Sequence, residues 1–563
     1  MRVAVIGGGP SGLLSLKYLK AASDYFPVDP IDVILFESED ALVSSRQFTC
    51  FSDFRIPDDK PDFVSTDYYC TYLEQYCKKF GLWPHINLST TVEKVRRNGE
   101  KGHVVTYRKN GSDKSEEYYC DAVAVCSGLH VTPNIPEIPG IEHVPEVLHS
   151  SKFKTREQFG VDKNVLVCGS GETSMDVSYL AVTAPTKSVT LSHRSGWQNA
   201  PKRFPEPIRF GNVRELKEKV EKYGPSVPTD TLSSSLFDTA YVHPWLEKSF
   251  LLWQYYDAFT KYATWLISGT KLGHDQWVGG VPEHRFHASQ IIANKSNNAM
   301  PYISAPYRPK VQTKADFIRS KYVSLPPFDT KGRQIDLAPW PEYFDENGIV
   351  HFQDNGTPEA ESMKHATVKP DIVVLATGYR QIFPFLDDTY TVPEHANIRW
   401  TWKSGDETVG YIGFVRPAFG AIPPIAELQA QLWVLQILNQ LPKPLQQLDY
   451  YRLPLTPERR LKYAVDHDTF AYQLALDMNS APSFLQVLRF GPTVFATWAL
   501  APNFNPKFRL VGPWKSPQEA AEVMRTELWR VRDYFKIHHI EMDDMYNAVA
   551  PNFLALKYRT IGP

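Results

Sequence analysis

Val3-Ala4-Val5-Ile6-Gly7-Gly8-Gly9-Pro10-Ser11-Gly12 reads as a short buried strand running straight into a glycine turn and a helix. The four apolar residues, rich in β-branching, suit a strand of a parallel sheet. Leu13, Leu14, Leu16 and Tyr18 continue as the helix. Gly7, Gly9 and Gly12 form G-x-G-x-x-G. The first glycine makes the tight turn, the second lets backbone approach a pyrophosphate, and the third lets helix and strand pack closely. The helix N-terminus then presents free N–H groups and the positive end of its dipole to the phosphates. A second strand, Val33-Ile34-Leu35-Phe36, ends in Glu37, 25 residues past Gly12. An acid is needed at that distance to accept hydrogen bonds from an adenosine ribose, so the stretch predicts an adenine dinucleotide.

The pattern recurs. Asn164-Val165-Leu166-Val167-Cys168-Gly169-Ser170-Gly171-Glu172-Thr173-Ser174 repeats strand, glycine turn and helix, with Ser174 in the third small position and the helix running from Met175 through Leu180. The next strand, Val189–Ser192, leads to Arg194, 23 residues past Gly171. Where the first unit carries an acid the second carries a base, which accommodates the 2′-phosphate of NADP. Two units with opposite charges at the ribose position predict two different dinucleotides.

At 563 residues the chain exceeds one core and holds roughly three or four domains' worth of material. Lys+Arg 61 against Asp+Glu 63 leaves a net charge of −2, so there is no basic field for nucleic acid or an anionic membrane. Strand residue Val3 stands where a secretory leader would need its charged region, and Phe250 to Ile267 is interrupted by Gln254, Asp257, Thr260, Lys261 and Thr264. The expectation is a soluble cytoplasmic protein with no membrane span. Six cysteines, at 50, 70, 77, 120, 126 and 168, include no C-x-x-C, so they read as reduced and structural, with no zinc site.

Between and beyond the two turns, Phe51-Ser52-Asp53-Phe54 is a loop, and a helix spans about Ser65 to Phe80 with Tyr69, Leu73, Tyr76 and Phe80 on one side. Ala122–Val125 is an apolar strand ending in Cys126-Ser127-Gly128, a small-residue turn that suits a bound cofactor or, equally, a plain central strand. Pro133, Pro136, Pro139 and Pro145 mark an inter-domain crossing. A helix around Pro244 to Ser268 carries Trp253, Tyr255, Tyr256, Phe259, Tyr262 and Trp265 around most of its surface; core packing is the plain reading and a substrate pocket walled by some of these rings the alternative. Ile372–Leu375, ending in Ala376-Thr377-Gly378-Tyr379, is expected to close the second sheet and return the chain to the first unit. Tyr411–Val415 precedes Ala421–Gln429, a strand, loop and helix start whose N-terminus suits the electron-rich end of a flavin. Ser516-Pro517-Gln518-Glu519 predicts a capping box with proline at the first helical position.

Taken in order, Gly7/Gly9/Gly12 with Glu37, Phe51–Phe54, Gly169/Gly171 with Arg194, Ala376–Tyr379, Gly413-Phe414-Val415 with Glu427–Ala430, and Phe508–Pro513 resemble the flavin-containing monooxygenase family, also called class B flavoprotein monooxygenases. The resemblance runs from Val3 to about Pro513. It implies an α/β protein with two Rossmann-like domains: an FAD domain in two parts, 1–158 and 381–563, the second ending in a helical segment, and an NADPH domain, 159–380, with a largely helical, aromatic-rich insertion at about 205–335. It places FAD at Gly7, Gly9, Pro10, Ser11, Gly12, Glu37 and Ser127, and NADPH at Gly169, Gly171, Thr173, Ser174 and Arg194, with Thr377, Gly378 and Gln429 as further cofactor contacts. The chemistry implied is capture of oxygen as a C4a-hydroperoxyflavin that a soft nitrogen or sulfur nucleophile attacks, so no catalytic triad or carboxylate pair is expected.

Three departures stand out. The family's fingerprint falls on His143–His149 and ends at Phe153, with its first two signature positions lost and its last two kept. The loop after the ribose-binding acid is shortened, so Glu39-Asp40-Ala41-Leu42 runs almost directly into Val43-Ser44-Ser45-Arg46, with Val43 where the family often has an asparagine beside the flavin. Glu172 stands where an amide is usual. The leading reading is an N- or S-oxygenating enzyme acting with O2 on a bulky amine or heteroaromatic small molecule. A Baeyer–Villiger enzyme and an NADPH oxidase or electron-transfer flavoprotein are the alternatives, and a homodimer is left open. A disulfide-type reductase would need a paired cysteine.

Overall fold

The computed structural model describes residues 1–37, 46–99, 102–194, 196–199, 203–204, 227–231, 293–294, 296, 298–303, 313–315, 329–417, 420–448, 451–453 and 463–529. The aromatic helix expected at 244–268, most of the insertion expected at 205–335, the shortened loop with Val43, and the chain beyond 529 lie outside these residues.

The described residues form two compact units. Among the described residues, the first draws on Met1–Val131, Asp230, Thr231 and residues 381–529; the second draws on Thr132–Thr229 and on those between Phe250 and Arg380. In the first, five parallel strands lie in the order Val409–Tyr411, Ala122–Val125, Arg2–Ile6, Asp32–Phe36, Ile86–Asn87. The opening strand is central, with Val3, Ala4 and Val5 fully buried, which is why it reads as unbroken apolar sequence and not as an alternation. Helix Pro10–Lys20 follows the glycine turn, its apolar residues Leu13, Leu14, Leu16 and Leu19 in the core. Helix Thr66–Lys79 buries Tyr69, Tyr72, Leu73, Tyr76 and Cys77, and Ser65 caps it by accepting from the Tyr68 amide at 3.2 Å. A three-stranded antiparallel sheet, Thr90–Asn98, Gly102–Lys109 and Ser115–Cys120, precedes the Ala122–Val125 strand.

The second unit has its own five parallel strands in the order Ile335–Ala338, Ser188–Ser192, Asn164–Cys168, Ile372–Leu375, Glu146–His149. Ile372–Leu375 is therefore interior and does not close the sheet; Glu146–His149 lies outside it, paired from Glu146↔Ile372 to His149↔Leu375. That pairing draws residues 146–149 into the second sheet, N-terminal to the expected boundary at 158. Short strands Thr132–Pro133 and Tyr379–Arg380 pair antiparallel where the chain enters and leaves this unit. Helix Glu172–Val182 begins three residues before the position expected from the apolar pattern.

Proline does stand at the start of helix Pro517–Arg525, but the expected capping box does not form. The Ser516 hydroxyl donates to the Glu519 carboxylate at 2.8 Å and caps no backbone amide. The six cysteines form no disulfide with one another, and no helix among the described residues is long and apolar enough to cross a membrane.

Candidate functional site

Two glycine turns, one in each unit, are built alike. Gly7 has φ +108° and Gly169 φ +130°, a region that L side chains rarely adopt. A Cβ on Gly7 would overlap the Cys126 carbonyl, and one on Gly169 the Ala376 carbonyl, so each turn is pressed against the end of the neighbouring parallel strand. Gly12 sits against the Gly7 carbonyl with no room for a side chain. In the second unit Ser174 is tolerated at the same place; it is buried and its Oγ donates to the Gly171 carbonyl at 2.6 Å.

The middle glycines differ from these. Gly9 and Gly171 are the N-cap residues of their helices, neither helix has a side-chain cap, and a Cβ on either glycine would meet nothing within 4 Å. Internal packing among the described residues does not require glycine at these positions, and the open space leaves room for the close approach of a ligand. Pro10 follows as the first helical residue, and the first turn of Pro10–Lys20 holds no acid. Open backbone, an uncapped helix end and an uncompensated dipole fit the pyrophosphate of a dinucleotide.

Glu37 stands at the end of the Asp32–Phe36 strand, where its carboxylate accepts from the Gly8 amide within the turn. Ser127 is half-buried, its amide close to Gly7. Ser11 lies with its Oγ against Gly413, so the turn after Val409–Tyr411 is fitted to the first turn of the glycine-turn helix.

In the second unit Thr173 is exposed in the first turn of its helix, and Glu172 brings a carboxylate to that same turn. Arg194 is exposed beyond Ser188–Ser192, its guanidinium 5.5 Å from the Trp340 ring centroid. Its neighbour His193 is buried: Nδ1 accepts from the Gly196 amide at 3.0 Å and Nε2 faces Glu359 at 3.0 Å. Burial pushes the Glu359 carboxyl up, but the interactions with His193 and its own backbone amide outweigh this and hold it below the ordinary carboxylate range. His193 thus anchors the segment from which Arg194 projects. Its place beside Arg194 was the available sequence signal.

The kept fingerprint residue His149 acts on the Ala376-Thr377-Gly378 turn. Its Nδ1 accepts from the Ser151 amide at 3.1 Å, so Nε2–H donates to the Gly378 carbonyl at 3.0 Å. That carbonyl also accepts from the Asn134 amide at 2.8 Å. Thr377 Oγ1 donates to the Asn134 carbonyl at 2.5 Å, and Gly378 has φ +73°. Burial lowers the His149 pKa against the opposing pull of the Gly378 bond, keeping the imidazole neutral. Gln429 is likewise occupied. It is fully buried, accepts from the Gly413 amide at 3.1 Å and donates to the Arg399 carbonyl at 3.2 Å and Thr401 Oγ1 at 3.0 Å, so its side chain braces the Gly413 turn.

Sequence inspection also missed a buried polar network in the first unit. Lys17 Nζ pairs with Asp53 at 2.7 Å and Arg509 approaches the same carboxylate at 3.5 Å. Glu427 accepts from Tyr18 at 2.7 Å, from the Ser52 amide at 3.0 Å, from the Ser52 hydroxyl and from Asn505 at 2.8 Å. Burial lowers the Lys17 pKa; at Asp53 burial works the other way, but Lys17 and Arg509 prevail and hold the carboxyl below its ordinary range. Residues from the Phe51–Phe54 loop, helix Ile422–Ile437 and the Phe508–Pro513 segment thus converge on Lys17 and Tyr18 of the glycine-turn helix. Separated by hundreds of positions, they give no local pattern.

Comparison with known proteins agrees with this construction. The model of the family "FMO-like: Flavin-binding monooxygenase-like" matches residues 38–200 and 349–556. "Monooxygenase ptmN" of Penicillium ochrochloron is 50% identical over 534 residues, covering 91% of this chain and 87% of its own length. "Monooxygenase cfoE" of Aspergillus candidus is 47% identical over 557 residues, covering 94% and 93%. Among solved structures, S-allyl-L-cysteine S-oxygenase from Allium sativum shares the fold at TM-score 0.52 and 14% identity, covering 94% of this chain and 98% of its own. With more than half of its length matched, the chain belongs to the flavin-binding monooxygenase-like family and is a flavin-dependent monooxygenase.

Proposed function

We propose that the first unit holds FAD and the second NADPH, and that the enzyme, acting in the cytoplasm, transfers one oxygen atom of O2 to a soft nitrogen or sulfur centre of a bulky amine or heteroaromatic small molecule. The observation that carries this reading is the pair of glycine turns, alike in backbone, with opposite charges beyond the strands beside them: Glu37 after the first such strand, on its glycine turn, and exposed Arg194 beyond the second. An acid suits unmodified ribose hydroxyls and repels a 2′-phosphate, whereas a free guanidinium attracts one.

When bound, FAD supplies the oxygen chemistry, and the balance is substrate, O2, NADPH and a proton giving oxygenated substrate, NADP+ and water. The chain's own work is to bind, orient and exclude water. Gly9 and Gly171 admit the pyrophosphates, the Asp53 and Glu427 network holds the glycine-turn helix in place, and His149 sets the Thr377–Gly378 turn. A lone pair on nitrogen or sulfur accepts oxygen without a protein base, which suits a site formed by packing and backbone. Aromatic residues make up 13% of the chain and favour a bulky substrate.

The test is rapid mixing of NADPH-reduced holoenzyme with oxygen, followed by amine, thioether and ketone panels. N-oxide or S-oxide formed in step with NADPH consumption is expected. Ester from ketone would mark a Baeyer–Villiger enzyme. Peroxide stoichiometric with NADPH, and no oxygenated product, would mark an oxidase.

A further inference from the structure

His467 begins helix His467–Asp477 and is 3% exposed, yet neither ring nitrogen has a hydrogen-bond partner among the described residues. The Asp468 carboxylate lies 3.5 Å from Nδ1, and that carboxylate accepts from the Asn503 amide at 2.8 Å. A neutral imidazole always carries one donor and one acceptor, and leaving both unmet in the interior is costly.

The surroundings say what the ring faces. It packs edge-on against Phe48 at 5.0 Å and lies directly on Gly420, where a Cβ would come within 2.5 Å of Cδ2 and 2.7 Å of Cγ. Gly420 stands two residues before helix Ile422–Ile437, whose N-cap Ala421 makes no side-chain cap and whose first turn holds no acid. The beginning of this helix lies on the same side as the first glycine turn, because Gly413 packs against Ser11 on one hand and, at 3.7 Å from a built Cβ, against Ala426 on the other. A dinucleotide seated with its phosphates on Gly9 can extend toward this second helix end.

We propose that His467 is a hydrogen-bonding contact of the flavin ring, acting with the positive end of helix Ile422–Ile437 on the carbonyl-bearing edge that becomes electron-rich on reduction. This rests on the placement of FAD in the first unit. It gives the imidazole the partner it lacks among the described residues and accounts for an uncapped, acid-free helix end beside a buried polar side chain.

The experiment titrates apoprotein with FAD, followed by flavin fluorescence, and measures the midpoint potential of the bound flavin for wild type, His467→Phe, His467→Gln and Gly9→Val. Removing a hydrogen bond to a charge-bearing ring should weaken FAD about tenfold in His467→Phe and lower its potential. His467→Gln, which keeps a polar hydrogen, should bind within about threefold of wild type but with a displaced potential. Thermal unfolding and NADP+ titration check that the variants fold. If His467→Phe does not fold, His467→Gln decides. Unchanged affinity and potential in whichever variant folds would overturn the proposal. Full FAD affinity in Gly9→Val would instead overturn the placement of FAD on which it rests.

Discussion

His149 donates from Nε2 to the carbonyl of Gly378 at 3.0 Å, across two paired strands that are more than 200 residues apart in sequence. The bond holds a turn whose preceding residue, Ala376, packs on Gly169 of the second glycine turn. Replacing His149 by Ala should cost about 1–2 kcal/mol, since the Gly378 carbonyl keeps the Asn134 amide. The NADP+ affinity should fall with it. Calorimetric titration and urea unfolding of His149→Ala and His149→Asn measure both effects.

Arg194→Ala should weaken NADPH by about 10–100-fold and leave NADH nearly unchanged, because only the phosphorylated ribose meets the guanidinium. The measurement is KM for each reductant. Equal losses would remove the phosphate-binding assignment.

The glycines of the first turn should separate folding from binding. Gly12→Ala drives a Cβ into the Gly7 carbonyl and should give little folded protein. Gly9→Val has open space and an ordinary backbone, so it should fold with near-native thermal stability and lose FAD. Circular dichroism and the yellow flavin absorbance distinguish the two.

Asp53→Asn leaves Lys17 and Arg509 buried with their shared anion gone. A loss of about 3–5 kcal/mol is expected. Replacing Lys17 by Met in the same chain should recover part of it, which urea unfolding of single and double variants would reveal as non-additivity.

Lys507 is fully buried, donating to the carbonyls of Trp498 at 2.8 Å and Ala501 at 2.5 Å, and burial lowers its pKa to about 7. Its unfolded value is the ordinary 10.5, so between these limits the unfolded chain binds more protons than the folded one, and this residue's contribution to stability rises with pH. Below about pH 7 both states carry the charge and the full burial cost remains. Other groups titrate in the same window, so the signal is the difference between wild type and Lys507→Met. From pH 7 to 10 it should move in favour of wild type by up to about 1.4 kcal/mol per pH unit, as measured by urea unfolding.

Local pattern determined much of this protein. Apolar runs ending in glycine turns specify buried parallel strands and helix starts, because turn, close approach and helix packing each demand a small residue at a set spacing. The positions of Glu37 and Arg194 beyond their strands were legible for the same reason, their distance along the chain being dictated by the strand that precedes each. Tertiary structure alone decided what joins remote segments. Glu146–His149 as the outer strand of the second sheet, His149 on Gly378, Gln429 as an internal brace, the meeting of Asp53, Glu427 and Arg509, and His467 beneath an uncapped helix all depend on pairings between distant residues. Hydrogen bonds and ion pairs are satisfied in space, so the residue types along the chain name the donors and acceptors while only the fold assigns their partners.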